Sequence, residues 1–153
     1  MHTSPLYPLV WQIRRLFQQL RSASDNLLAG MGINASQRAV LEFLAARPAH
    51  SVPQIAQELT VTRQHIQVLV NELLSLKLLK TLPNPAHKRS PLIAITERGS
   101  RLFTVIRKKE AQLLASLEPH FEQDDLELVT QTLIKLQQLL QAEEAINISG
   151  GKA

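Results

Sequence analysis

Two helix starts separated by a short turn lie near the middle of this chain, and they restrict its fold more than any other feature. In "SVPQIAQELT" Ser51 can cap a helix and Gln54, three residues on, can reach back to it, with the helix ending near Leu59. Thr62 then opens a second helix in "TVTRQHIQVLVNELLSLKLL", where Ile66, Leu69, Val70 and Leu73 recur at i, i+3, i+4 and i+7 and define a face to be buried. Opposite them stand Arg63, Gln64, Gln67 and Asn71, with His65 at the edge. That face is polar yet holds no acid, and its amide and guanidinium groups are able to pair with base edges in a major groove. Two helices joined this way, with the small Ala56 where they approach, form a helix-turn-helix pattern. An amphipathic helix with a solvated face shows the same periodicity, so the flanks must decide.

Immediately downstream, two short apolar stretches, "LLKTL" and "PLIAIT", bracket "PNPAHKRS". They read as a β-hairpin whose tip is restrained by Pro83 and Pro85 and carries Lys88 and Arg89. A basic hairpin directly after a recognition helix is a wing, with its cations one strand length away, placed to meet phosphates or an adjacent minor groove. Helices account for the rest. Leu6, Val10, Ile13, Phe17 and Leu20 mark a first helix that continues to about Leu28, before "GMG". In "NASQ", Asn34 and Gln37 form a capping box for a helix running through Val40, Leu41 and Leu44 to Arg47, before Pro48. Leu126, Val129, Leu133, Leu136 and Leu140 mark a last helix, with Asp124 and Asp125 near its positive end. The stripes at both ends of the chain are broader than one small domain needs.

Charge points the same way. Residues 60–109 hold ten Lys and Arg against two acids, a local net of +8, whereas residues 110–153 carry a net of −6. A basic block of this kind is the footprint of a polyanion partner, although solvated helix faces also produce it. The 153 residues, 44% hydrophobic, are expected to form a single domain, and no apolar run is long enough to span a membrane. The N-terminus lacks the features of a secretory signal, which implies a cytoplasmic protein. With no cysteine, thiol chemistry, disulfides and Cys-rich zinc sites are excluded. The five histidines (His2, His50, His65, His87, His120) are scattered without metal-ligand spacing, and neither "GMG" nor "SGG" precedes a helix as a phosphate loop. Nothing pairs a nucleophile with a base, so an enzyme, a metal site and a cofactor are not expected.

Taken in order, "ASQRAVLEFLA", "VPQIAQELTVTRQHIQVLVNELLSLKLL" and "NPAHKRSPLIAITERG" resemble the MarR family of winged helix-turn-helix transcription regulators over most of the chain. The resemblance implies a mainly α fold with a small β-hairpin wing, acting as a homodimer on a palindromic operator in double-stranded DNA. Residues 1–30 and 100–145 would form the helical dimerisation region and residues 34–99 the DNA-binding region. Carried onto this chain, it gives the DNA contacts to Ser36, Gln37 and Arg38, to Ser51, to Thr62, Arg63, Gln64, His65, Gln67 and Asn71, and to Lys88 and Arg89. It also implies repression relieved by a small aromatic or phenolic effector in a crevice, with Trp11, Phe17, Phe43 and Phe103 as the aromatic candidates to line it. An aromatic at each of these four positions is more often simply core.

The chain departs from the family at three places. The wing usually reads Asp-x-x-Asp-Arg-Arg, but here it runs Asn84, Pro85, Ala86, His87, Lys88, Arg89, so the carboxylate expected to steady the wing arginine is replaced by His87. Lys77 stands where glycine commonly ends the recognition helix, at a cost of about 1 kcal/mol if the backbone stays left-handed. Val68 stands where arginine is frequent, and is expected to pack rather than to touch a thymine methyl. The altered wing keeps a rival reading open: a winged-helix interaction module that has lost sequence-specific DNA binding and docks an acidic protein.

Overall fold

The structure, a computed structural model, describes residues 4–150. The chain divides into two compact units, the boundary falling after Glu110. In the first, helix α1 (Leu6–Leu27) leads through a corner at Gly30 and Gly32, both in the left-handed region, to α2 (Ala35–Ala45). Strand β1 (His50–Ser51), helix α3 (Val52–Glu58), helix α4 (Arg63–Ser75) and strands β2 (Leu79–Leu82) and β3 (Leu92–Ile95) follow. Helix α5 (Glu97–Leu117) carries the chain across the boundary. The second unit then continues through a short 3₁₀ turn (Glu118–His120) into α6 (Gln123–Gly150).

The sequence caps each helix of the first unit's centre. Asn34 Oδ1 accepts from Gln37 N at 2.9 Å while Gln37 Oε1 accepts from Asn34 N at 2.9 Å, and Gln54 Oε1 accepts from Ser51 N at 2.8 Å. Thr62 Oγ1 accepts from His65 N at 3.2 Å. Helix α2 stops at Ala45 rather than running to Arg47, because the residue before a proline is pushed out of the helical region. Ile66, Leu69, Val70 and Leu73 of α4 are buried as their spacing requires, and they meet Val40, Leu41 and Leu44 of α2, Ile55 and Ala56 of α3 and Ile106 of α5 in one core. Truncating a fully buried leucine there, such as Leu41 or Leu73, would cost about 2–5 kcal/mol.

The sheet has the order β1-β3-β2, with β2 and β3 antiparallel and in register from Leu79↔Ile95 to Leu82↔Leu92. Strand β1, His50 and Ser51, pairs with Ile93 and Leu92 and was not foreseen from sequence. The hairpin base is locked to α5 by one hydroxyl. Thr96 Oγ1 lies 2.9 Å from the Lys77 carbonyl and 3.0 Å from that of Leu78, and accepts from Gly99 N at 3.0 Å. Gly99 is buried against the chain here, and a Cβ on it would collide with the Leu78 carbonyl oxygen and sit 2.8 Å from Ile95 Cγ1.

Few side chains of the two terminal stripes are covered. Helix α1 has no fully buried residue, and Leu6, Trp11, Phe17 and Leu20 are exposed. In the second unit Leu126, Val129, Leu133 and Leu140 of α6 are exposed and Leu136 is half-buried, while Asp124 and Asp125 occupy the first turn. No helix among the described residues is long and apolar enough to cross a membrane.

Candidate nucleic-acid interface

Helix α4 presents Arg63, Gln64, His65, Gln67, Val68 and Asn71 as exposed residues. Gln64, Gln67, Val68 and Asn71 fall at i, i+3, i+4 and i+7, opposite the core, so they share one face. Gln67 Nε2 donates to Asn71 Oδ1 at 2.9 Å. That bond fixes both amides while leaving the Gln67 oxygen, one of its N–H groups and the whole Asn71 amide nitrogen available, a mixed acceptor and donor array of the kind base edges require. Val68 corrects the expectation of packing: it is 51% exposed, so its methyls lie on the polar face rather than in the core.

Both ends of α4 are bounded by left-handed residues that are not glycine. Thr60, with φ +57°, closes α3: its N–H donates to the Gln57 carbonyl at 3.2 Å and that of Val61 to Ala56 at 3.0 Å. Lys77, with φ +59°, closes α4 in the same way, with N–H groups of Lys77 and Leu78 donating to the carbonyls of Leu74 and Leu73. Both are Schellman caps, in which a Cβ at the left-handed position is a strain. The left-handed backbone on which the cost of a lysine at position 77 depends is therefore present.

In the wing, Lys88 and Arg89 are exposed and neither is ion-paired among the described residues. Their loop is ordered by Asn84 rather than by His87. Asn84 Nδ2 donates to the Ser90 carbonyl at 2.7 Å, and Asn84 Oδ1 accepts from Ala86 N at 3.2 Å.

Three other expected DNA contacts are engaged inside the protein. Gln37 is buried, with its oxygen in the capping box and its Nε2 donating to Glu72 Oε2 at 2.7 Å, which ties α2 to α4. Ser51 is buried and its hydroxyl donates to Gln54 Oε1 at 2.9 Å. The Arg38 guanidinium is forked onto Glu110, through Nε to Oε1 and through Nη2 to Oε2 at 2.7 Å, while Nη1 reaches Glu42 at 2.7 Å. Hydrogen bonding to Glu110 is the largest influence on Arg38 and raises its pKa above the ordinary arginine value, with burial opposing. Ser36 and Thr62 sit at helix starts, half-buried and exposed respectively.

A crevice of about 330 Å³ opens between α1, α2 and the start of α4, within the range of small-molecule pockets. Phe17, Arg21 and Ser24 of α1, Ser36 and Arg38 of α2 and His65 of α4 contribute to its walls, with Leu59, Val61, Ile66 and Leu69 as apolar lining. Ser24 Oγ is buried there without a hydrogen-bond partner among the described residues. Of the four aromatic candidates only Phe17 lines this crevice. Phe43 and Phe103 are in the core, Phe43 meeting His50 edge to face at 5.0 Å, and Trp11 is half exposed beneath the Arg15 guanidinium.

A sequence model described as MarR family matches residues 31–90, from the α1–α2 corner through the wing tip. An uncharacterized protein of Mycobacterium bovis is 34% identical over 101 residues, 66% of this chain and 70% of that protein. The chain belongs to the MarR family. The crystal structure of the MarR family transcription regulator SP03579 matches with a TM-score of 0.79 at 28% identity, covering 90% of this chain and 91% of that one. The fold likewise matches a variant of MarR from E. coli complexed with operator DNA, with a TM-score of 0.76 at 22% identity over 86% and 94% of the two chains. Membership accounts for the mainly helical fold and its three-stranded antiparallel winged-helix sheet. Beyond the matched residues, Thr96 supplies the hydroxyl that joins wing to helix and Gly99 the missing Cβ that lets them touch. Arg21 and Ser24 were missed from sequence, since polar residues on an amphipathic helix carry no signal that they face a crevice.

Proposed function

We propose that this MarR-family chain is a sequence-specific DNA-binding transcription regulator, a repressor that acts as a homodimer on a palindromic operator and is released by a small aromatic or phenolic effector. The observation that carries the reading is α4, capped by Thr62, with an acid-free face of Gln64, Gln67, Val68 and Asn71 on which the Gln67 and Asn71 amides hold each other in position and the valine can meet a thymine methyl. Lys88 and Arg89 supply the sequence-independent charge beside it. Residues 34–99 are the DNA-binding part. Residues 1–30 and 100–145 form the dimerisation part, for which the exposed Leu6, Trp11 and Leu20 of α1 and Leu126, Val129 and Leu140 of α6 supply apolar faces for a second copy to cover. The crevice beside His65 is the effector site: an occupant there touches a residue of the recognition helix, so binding and DNA affinity are linked.

Three measurements test this. Sedimentation at micromolar concentration is expected to give about twice 17.2 kDa, and a clean monomer would overturn the dimer. Titration of the DNA upstream of the protein's own gene against random duplex of equal length is expected to give a specificity ratio well above one. A ratio near one would favour the interaction module instead. Native mass spectrometry of freshly purified protein reports a retained effector directly.

A further inference from the structure

The wing holds a device that its charge does not identify, built on the amide that stands where the family's wing begins with an acid. Strand pairing ends at Leu82↔Leu92, which leaves a nine-residue loop, 83–91, longer than the roughly two to five residues of most hairpin loops. Pro83, Pro85 and Pro91 have no N–H, so the ladder cannot extend into it. Its order therefore needs another source. Within this loop Asn84 and Ser90 are half-buried while every other residue is exposed, and these two are bonded to each other. Asn84 makes three of the four hydrogen bonds inside the loop: its side chain donates to Ser90 O at 2.7 Å and accepts from Ala86 N at 3.2 Å, and its carbonyl accepts from His87 N at 3.3 Å. The fourth runs from Ser90 N to the His87 carbonyl at 2.9 Å. Lys88 and Arg89 sit inside the ring these bonds close.

We propose that Asn84 is the positioning residue of the wing, its side-chain amide holding Lys88 and Arg89 in the conformation that meets DNA phosphates, which rests on the DNA-binding reading above. The partners fix the chemistry required. One is a backbone carbonyl, which needs a donor, and the other a backbone N–H, which needs an acceptor, so a neutral amide satisfies both. Aspartate would leave the Ser90 carbonyl facing an acceptor and bring a negative charge next to the cations. An ordered loop does not have to be ordered on contact, so the amide acts on affinity without touching DNA.

The test measures binding of the full-length protein to one operator fragment and to random duplex over a salt series, for wild type, Asn84→Ala, Asn84→Asp and Arg89→Ala, with tryptic cleavage after Lys88 and Arg89 timed in the absence of DNA. Thermal melts establish that each variant folds. Asn84→Ala is expected to bind both DNAs about five- to tenfold more weakly, as loss of one or two hydrogen bonds implies. Its salt slope stays that of wild type because both cations remain, and its loop is cut several-fold faster. Arg89→Ala is expected instead to lower the slope of log K by about 0.9 for each phosphate that the variant no longer neutralises. Wild-type affinity and cleavage in Asn84→Ala, beside a weakened Arg89→Ala, would overturn the role of Asn84 and leave the wing reading standing. Superimposable curves for Arg89→Ala and wild type would remove the wing reading and this proposal with it. Weaker binding of Asn84→Ala without faster cleavage would make Asn84 a direct contact, and wild-type binding by Asn84→Asp would show that the donor is not needed; either overturns the proposal.

Discussion

Replacing Lys77 by glycine is expected to stabilise the protein, although it removes a side chain and adds freedom to the unfolded chain. Lys77 lies just past the C-cap Leu76 of α4 at φ +59°, is exposed, and its side chain makes no hydrogen bond or ion pair among the described residues. What matters there is its backbone: the N–H closes α4 on Leu74, and the carbonyl lies 2.9 Å from the Thr96 hydroxyl. Both groups survive in glycine. A Cβ in the left-handed region costs about 1–2 kcal/mol, and glycine's extra entropy in the unfolded state returns about 0.5–1 kcal/mol of that. The net gain is therefore about 0.5–1 kcal/mol, or a rise in Tm of roughly 1–4 °C for a chain of this size.

Urea unfolding reads this as a shift of midpoint at constant m, with protein concentration held the same for every variant. Lys77→Ala is the control: it removes the same charge but keeps the Cβ, so it should lie within about 0.5 kcal/mol of wild type. Any change in DNA affinity common to both variants then belongs to the missing charge. Should Lys77→Gly prove no more stable than Lys77→Ala, the strain argument fails, and with it the same argument for Thr60, whose branched Cβ is still less suited to its φ of +57°.

What could be read from sequence was what short-range periodicity and capping determine. The starts of α2, α3 and α4 follow from Asn34, Ser51 and Thr62, and the face of α4 from a spacing that nothing else in the chain contradicts. Contacts made far along the chain were not readable. Arg38 looks like any basic residue at a helix start, and only the fold brings Glu110 to it. Strand β1 is two residues long, too short for any alternation, and exists because Ile93 and Leu92 offer an edge. Phe43 and Phe103 could not be assigned to core or crevice, since an aromatic at helical spacing fits both and the choice depends on how α1, α2 and α5 meet. Asn84 could not be given its role for a related reason: the wing pattern marks both Asn84 and His87 as acids replaced, and only the fold shows that the amide at 84 closes the loop on a carbonyl six residues away.

Gln67→Ala should weaken the cognate site by about 1–3 kcal/mol while leaving random DNA nearly unaffected, because it removes one amide and releases Asn71; equal losses on both DNAs would show that the face does not read bases. Gly99→Ala should lower stability by about 1–3 kcal/mol in urea, since the added methyl meets the Leu78 backbone rather than a yielding side chain, and an unchanged midpoint would mean that the wing base can move. Arg38→Ala separates structure from recognition. With its side chain 18% exposed and forked onto Glu110, Arg38 is a strut between α2 and α5, and its removal leaves that carboxylate without a partner, at a cost of about 1–3 kcal/mol in stability. Glu42, 55% exposed, adds little. A strut that touches no phosphate should leave the salt slope of DNA binding unchanged, so a fall of about 0.9 in that slope would return Arg38 to the DNA and require the Glu110 fork to open on binding.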